Sequence, residues 1–337
     1  MRLINVPIEP LEMRYTAQWQ AWFSIGFRAD GWEVHTVTGH PTSQKIHTGA
    51  FLDAFNTSRY KAEQLAQIVT LLQETRSPTV VFFHDAWFPG VEALAYIRQL
   101  ADYPLILAGF FHAGAYDPTD LLGRMGMSAW VRGCEESWVT LYDAMFVGSD
   151  HHRRTLAGMR GGVGLMSKIH VSGNPVSVPN IGRPWSQREN IVVFPHRLTP
   201  DKRPELLDEF SRHLPGDCRV IKTYELNLPK DEYYDLLGRA KCAVSFATHE
   251  NFGIAMVEAA MLGVYPVVPD ALAYRETMPA GQRYQSLVHA AHLVRDVLQN
   301  KIEPFAYPFD WSPSKIVSNI SEILKSKEAS LVHVASQ

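Results

Sequence analysis

Asn251–Pro269 reads NFGIAMVEAAMLGVYPVVP, and Glu258 is its one charged side chain. Just upstream lies Ser245–Gly253, SFATHENFG, with a second carboxylate, Glu250, eight positions before Glu258. The pattern predicts a strand over Ala243–Ala247, a turn containing Gly253, a short helix ending near Gly263 and a second strand over Val264–Val268. A carboxylate inside an otherwise apolar helix carries a large desolvation cost unless something binds it. A vicinal diol is one such ligand, because a carboxylate accepts hydrogen bonds from both hydroxyls. The helix start beside Gly253 offers free backbone N–H groups and the positive end of a dipole, which suit a phosphate. A sugar at Glu250, a diphosphate at the helix start and a ribose at Glu258 would together hold a nucleotide-sugar. The plainer alternative is that Glu250 caps the helix and Glu258 pairs with a core arginine.

Outward from this stretch, strand-like and helix-like segments alternate along the whole chain, which predicts mainly parallel sheets covered by helices. Strands are expected over Leu3–Pro7, Glu33–Thr38, Thr79–Phe83, Leu105–Phe111, Asp143–Gly148 and Lys168–Ser172. Helices are expected over Tyr15–Asp30, Ala62–Glu74, Trp130–Leu141 and Asp150–Met159. The first helix carries Trp19, Trp22, Phe23 and Phe27 at helical spacing, which reads as core. From Asn174 to Pro184 a polar stretch with Pro and Gly loses all periodicity, and the pattern then restarts. Strands are expected next over Asn190–Phe194 and Cys218–Ile221, and helices over Pro204–His213, Asp231–Arg239 and Ser314–Lys325. The expected organisation is a first domain over 1–176, a second over 177–312 and a terminal helix over 313–337.

A second chemical feature comes after the Asn190–Phe194 strand: His196–Pro204, HRLTPDKRP. It places Arg197 and Lys202 at the carboxyl end of a strand, where α/β folds bind ligands. A guanidinium fork and an ammonium point charge there can neutralise a diphosphate leaving group. A solvated basic turn is the alternative.

The Glu-x7-Glu spacing of Glu250 and Glu258, with the Arg-x4-Lys spacing of Arg197 and Lys202, resembles the donor site of retaining glycosyltransferases of the GT-B fold. That large family-four-like group includes sucrose synthases and bacterial mannosyltransferases. The resemblance implies two doubly wound Rossmann-like domains facing a central cleft, the second binding the donor, with the terminal helix crossing back to the first. It implies transfer of a glycosyl group from a nucleoside diphosphate sugar to an acceptor hydroxyl with retention, the leaving phosphate taking the acceptor proton. Arg197 and Lys202 then stabilise the leaving diphosphate, Glu250 with the backbone of Phe252, Gly253 and Ile254 positions the sugar, and Glu258 holds the ribose. His112, which ends an apolar strand, matches a family histidine that donates to a sugar hydroxyl; a core histidine bonded to a carbonyl is the alternative. No metal is obligatory, since two cations and a helix end do its electrostatic work.

On the acceptor side, His84 and Asp85 end the preceding strand. The family's Gly-rich loop after the first strand is replaced by PIEPLEMRY, so Arg14 or Tyr15 substitutes for it. This start, IEPLE-x-RY and then an aromatic QW helix, also resembles glycosyltransferases of tailed phages. The acceptor expected from that likeness is a hydroxymethylated pyrimidine in phage DNA; a saccharide or small metabolite is the alternative. A local basic stretch of Arg153, Arg154, Arg160 and Lys168, opposed only by Asp150, is a candidate phosphate contact. Two rival functions share the pocket: a sugar-nucleotide epimerase of the same fold, and a non-catalytic nucleotide-sugar binder.

Bulk composition bounds these readings. The 337 residues carry a net charge of −3, so any nucleic-acid or membrane partner must be met by a local patch rather than a global field. Cys134, Cys218 and Cys242 are scattered and form no CxxC, which reads as reduced thiols. Carboxylates stand where an export signal needs an apolar run, and no segment is long enough to span a bilayer. The expectation is a soluble cytoplasmic protein, in the host cytoplasm if phage-encoded, without stable membrane association.

Overall fold

The computed structural model describes residues 1–10, 15–40, 53–160, 162–302 and 306–335, so Arg14 lies outside the described residues. The chain forms two compact units, Met1–Pro175 with Ser312–Gln337, and Val176–Trp311.

Unit 1 is built on a six-stranded sheet in the order β2-β1-β3-β4-β5-β6. Its strands are β1 (Arg2–Val6), β2 (Glu33–Thr36), β3 (Thr79–Phe83), β4 (Leu105–Phe110), β5 (Ala144–Val147) and β6 (Ile169–Val171). Every pairing is parallel, and β1, β3, β4 and β5 are buried along their whole length. Strands covered on both faces read as unbroken apolar runs, which is why TVVFF and LILAGF are legible as strands. The aromatic helix Tyr15–Ala29 buries Trp19, Phe23 and Phe27.

The last helix, Pro313–Ala335, packs in this same unit beside Tyr15–Ala29. Ile316, Val317, Ile320 and Leu324 form its buried stripe. A Cβ on Gly26 would sit 2.6 Å from Val317 Cγ1, so the missing side chain is what lets the two helices approach. Trp32 Nε1 donates to Ser321 Oγ at 2.8 Å in the buried contact.

Unit 2 carries a five-stranded sheet in the order β11-β10-β9-β7-β8. The strands are β7 (Glu189–Phe194), β8 (Arg219–Lys222), β9 (Ala240–Val244), β10 (Tyr265–Pro269) and β11 (Arg283–Tyr284), again parallel throughout. From β7 the chain passes to β8 on one side and then to β9 on the other. The order therefore reverses between β7 and β9, which opens a crevice at their carboxyl ends.

Several expected boundaries move. β9 runs over Ala240–Val244 rather than Ala243–Ala247, because Ser245 Oγ accepts from Ala247 N at 3.3 Å and turns the chain out of the ladder. The helix expected from Ala62 begins at Ala54, where Asp53 accepts from Phe55 N and Asn56 N. Its polar first turns hide the start. Helices Val91–Leu100 and Leu287–Leu298 are additional to those expected. Among the described residues no helix is long and apolar enough to cross a membrane.

Candidate active site

The crevice between β7 and β9 gathers the residues that the sequence expects on the donor side. Lys202 ends the turn Pro200–Lys202 after β7 and is buried. Its Nζ donates to His249 O at 2.6 Å and to Glu250 Oε2 at 3.1 Å, and Asp201 Oδ2 lies 3.4 Å away. Thr248 N donates to Asp201 O at 2.8 Å, which ties the loops after β7 and β9 together.

Glu250 spans two roles. While Oε2 faces Lys202, Oε1 accepts from Gly253 N at 2.9 Å at the start of helix Ile254–Met261. It thus holds the amide of Gly253 just ahead of the helix and pairs with the cation, and the pairing with Lys202 is neither of the roles that the sequence leaves open. Burial pushes its carboxyl pKa up, but the Lys202 charge and hydrogen bond more than offset that and hold it at about 2. His196, just past β7, is buried, and burial together with Lys202 lowers its pKa to about 3, so it is neutral. Arg197 is half-buried within charge range of that ring.

The turn into the helix needs glycine. Gly253 has φ +88°, and a Cβ there would lie 2.8 Å from Tyr274 Cε1. Tyr274 is itself fixed by its hydroxyl, 2.9 Å from Ser245 Oγ, and Thr277 Oγ1 donates to Phe252 O at 3.1 Å. Phe252 is buried edge-on against Trp311, ring centroids 5.0 Å apart. Ile254 opens the helix, whose first-turn amides have no intrahelical acceptor.

Glu258 is buried on that helix, and its partner is a lysine rather than an arginine. Lys230 Nζ lies 2.6 Å and Tyr234 OH 2.8 Å from Glu258 Oε1. Lys230, Tyr234 and Tyr274 are not among the residues that the sequence singles out, because they reach the site from other elements and carry no spacing signal.

Unit 1 places the other candidates at the carboxyl ends of β1, β3 and β4. His84 is a core histidine: it is fully buried, its Nε2 lies 2.7 Å from Asn5 Oδ1, and its ring packs on Phe23 and Phe82. Burial lowers its pKa to about 3, with the adjacent His112 contributing, and the fully buried ring shows no edge to solvent. Asp85 pairs with Lys61 at 3.3 Å and accepts from Trp87 N at 3.1 Å, which stabilises the turn after β3.

His112 is half-buried, with Nε2 2.7 Å from the carbonyl oxygen of His84. A carbonyl only accepts, so Nε2 carries the proton and Nδ1 is left as an acceptor, with Tyr15 OH at 3.5 Å. The hydroxyl that Nδ1 meets in this structure is that of Tyr15. Burial lowers the pKa of His112 as well, which disfavours the doubly protonated ring.

The basic stretch is largely spent internally. Arg153 Nε and Arg154 Nε both donate to Asp150, at 2.7 and 2.6 Å, and Lys168 Nζ donates to the carbonyls of Thr140 and Tyr142 at 3.1 and 3.2 Å. Nothing is described of the Arg160 side chain. Among the described residues no three His, Cys, Asp or Glu side chains group to hold a metal ion.

Solved structures share this architecture over nearly the whole chain. The sucrose-phosphate synthase of Thermosynechococcus elongatus superposes with TM-score 0.68 at 11% identity, covering 98% of this chain and all of that one. The lipopolysaccharide outer core galactosyltransferase WaaB gives 0.64 at 12%, covering 97% and 100%. Anabaena HepE in complex with UDP-glucose gives 0.58 at 12%, covering 100% and 99%. These neighbours are GT-B glycosyltransferases. The fold is GT-B.

No family model matches the chain. In sequence it is similar to the tRNA-queuosine alpha-mannosyltransferase of Drosophila melanogaster, 30% identical over 121 residues. That alignment takes in 28% of this chain and 32% of the relative, so the chain matches about a third of the relative's length.

Proposed function

We propose that this chain is a retaining glycosyltransferase that moves a sugar from a nucleoside diphosphate sugar to an acceptor hydroxyl. One observation carries the reading: in the β7–β9 crevice a buried Lys202–Glu250 pair meets the amino end of helix Ile254–Met261, one turn-and-a-half before the buried Glu258. Such a junction supplies positive charge for a diphosphate and fixed acceptors for hydroxyls. The UDP-glucose held by the structural neighbour HepE supports the same donor chemistry.

In the proposed reaction the bond between the anomeric carbon and the β-phosphate oxygen breaks while one to the acceptor oxygen forms on the same face. The acceptor proton passes to the departing phosphate. Arg197 and Lys202 stabilise the charge that develops there, Glu250 with the backbone of Phe252, Gly253 and Ile254 positions the sugar, and Glu258 holds the ribose. No protein nucleophile takes part. Unit 2 is the donor side and unit 1 the acceptor side, where His112 Nδ1 accepts from a hydroxyl and Tyr15 adjoins it.

For the acceptor we propose a hydroxyl on a modified nucleoside within a polynucleotide, with a hydroxymethylated pyrimidine of DNA as the first candidate. The relative named for action on queuosine in tRNA favours the tRNA form of the same chemistry as the second. The test is direct: hydroxymethylated duplex, plain duplex, queuosine-containing tRNA and simple saccharides are each incubated with a panel of nucleotide-sugars. Transfer to a modified polynucleotide alone, with the anomeric configuration of the donor kept by proton NMR coupling, is the expected result. Label on saccharides only would remove the polynucleotide acceptor, and an inverted product would remove the front-face mechanism.

A further inference from the structure

Glu258 is approached by three side chains from one neighbouring helix, Lys230–Arg239: Tyr233 and Tyr234 bond to it, and the first residue supplies the cation. The Lys230 ammonium lies over the rings of Tyr233 and Tyr234, 4.9 and 4.7 Å from their centroids, and 2.6 Å from Glu258 Oε1. Two aromatic faces and a carboxylate hold it in one place. Tyr234 OH donates to the same oxygen at 2.8 Å, so both bonds fall on Oε1 and Oε2 takes neither. The lysine side chain is 22% exposed and the glutamate 4%, which puts the ammonium on the solvent side of the pair.

An ammonium has three protons and accepts nothing, whereas an ionised carboxylate only accepts. Side by side they form a donor–acceptor couple, and a vicinal diol is the complementary ligand. One hydroxyl donates to Oε2 while the lone pair of the other accepts from Nζ. A carboxylate alone binds a diol through two accepted bonds, but here one oxygen is already taken. We propose that Lys230, together with Glu258, reads the two ribose hydroxyls of the donor and makes the site selective for ribonucleotides over deoxyribonucleotides. The inference rests on the donor-site reading above, in which Glu258 faces the ribose. A site built to hydrogen-bond a hydroxyl rejects ligands that lack it, because its own polar groups are then left unpaired.

The test uses calorimetry of the full chain with UDP, GDP, ADP and CDP and their 2′-deoxy and 3′-deoxy forms. The variants are Lys230→Met, which keeps length and removes charge, Lys230→Arg and Arg197→Ala. Wild type is expected to favour its ribonucleoside diphosphate by about 30-fold or more over either deoxy form. Lys230→Met should weaken the ribonucleotide about tenfold, leave the deoxy forms within about threefold and so collapse the ratio, with Lys230→Arg recovering part of it. An unchanged ratio in a folded Lys230→Met protein overturns the inference and makes Lys230 a counter-ion only. Tighter ribonucleotide binding in Lys230→Met also overturns it, making Lys230 a competitor for the carboxylate. In both cases nucleotide binding that Arg197→Ala weakens leaves the donor site standing. A wild-type chain that binds none of the diphosphates removes the donor site and this inference together.

Discussion

The Lys202 ammonium and the Glu250 carboxylate form an ion pair at 3.1 Å, although 48 residues separate them. Each belongs to a different motif, and each lies just past a different strand. Lys202 also donates to His249 O, and Glu250 also accepts from Gly253 N just ahead of the helix that carries Glu258. The pair therefore makes the cationic loop, the turn at Gly253 and the helix that carries Glu258 one mechanical unit. Moving any part of it shifts the charge that a leaving phosphate would meet.

Breaking the pair should cost both stability and rate. Lys202→Met or Glu250→Gln should each destabilise the protein by about 3 kcal/mol, since each leaves its partner in a mostly buried site. The double variant should lose less than the sum, with a coupling of about 1–3 kcal/mol in urea titrations. Strict additivity would show that the two side chains do not interact in solution. Turnover should fall about 10²-fold or more in either single variant.

Arg197 should separate chemistry from folding. It is half-buried and lies just past β7, so Arg197→Ala should change stability by no more than about 1 kcal/mol while lowering turnover about 10²-fold or more. Wild-type turnover in a folded Arg197→Ala protein would move the donor site elsewhere.

Glu258→Ala should weaken nucleoside diphosphate binding by about 2–4 kcal/mol, because it removes the carboxylate that anchors Lys230 and that we propose accepts from the ribose hydroxyls. Calorimetry at fixed salt measures it. Donor affinity equal to wild type would sink the ribose assignment.

The turn at Gly253 should be intolerant of a side chain. With φ +88° and Tyr274 Cε1 2.8 Å from an added Cβ, Gly253→Ala should cost about 1–3 kcal/mol and loosen the bond from its amide to Glu250. Thermal denaturation reads the first effect and donor affinity the second. A Gly253→Ala protein with both unaltered would mean the backbone there does not need its left-handed conformation.

Acid should destabilise the protein through two neutral histidines. Burial lowers the pKa of His84 and of His196 from 6.5 to about 3 in the folded state. Between those values the unfolded chain binds a proton that the native state refuses. Stability is thus full above about pH 6.5 and falls as pH drops, by about 1.4 kcal/mol per unit for each residue. The Glu250 contribution runs at lower pH, being present above 4.5 and lost as pH falls toward about 2. Urea midpoints of wild type and His84→Gln, measured from pH 7 to 4.5, should converge as pH falls; parallel curves would place His84 in contact with water.

The residue order by itself determined local features. An apolar run with one carboxylate identifies a covered helix, and an unbroken run such as TVVFF identifies a covered strand, because burial on both faces removes every polar position. Glycine at a forced turn and cations just past a strand end are equally local, since the carboxyl edge of a parallel sheet positions the loop residues that leave it. Partnership was not local. Lys230 meets Glu258 and Lys202 meets Glu250 only because helix packing and the register of β7 against β9 bring distant residues together. The same long-range packing sealed His84 in the core, left His112 Nδ1 facing Tyr15 OH by taking its other nitrogen, and spent Arg153 and Arg154 on Asp150. A side chain's charge is written in the sequence, but what that charge faces depends on how separate elements pack, and only the tertiary structure decided it.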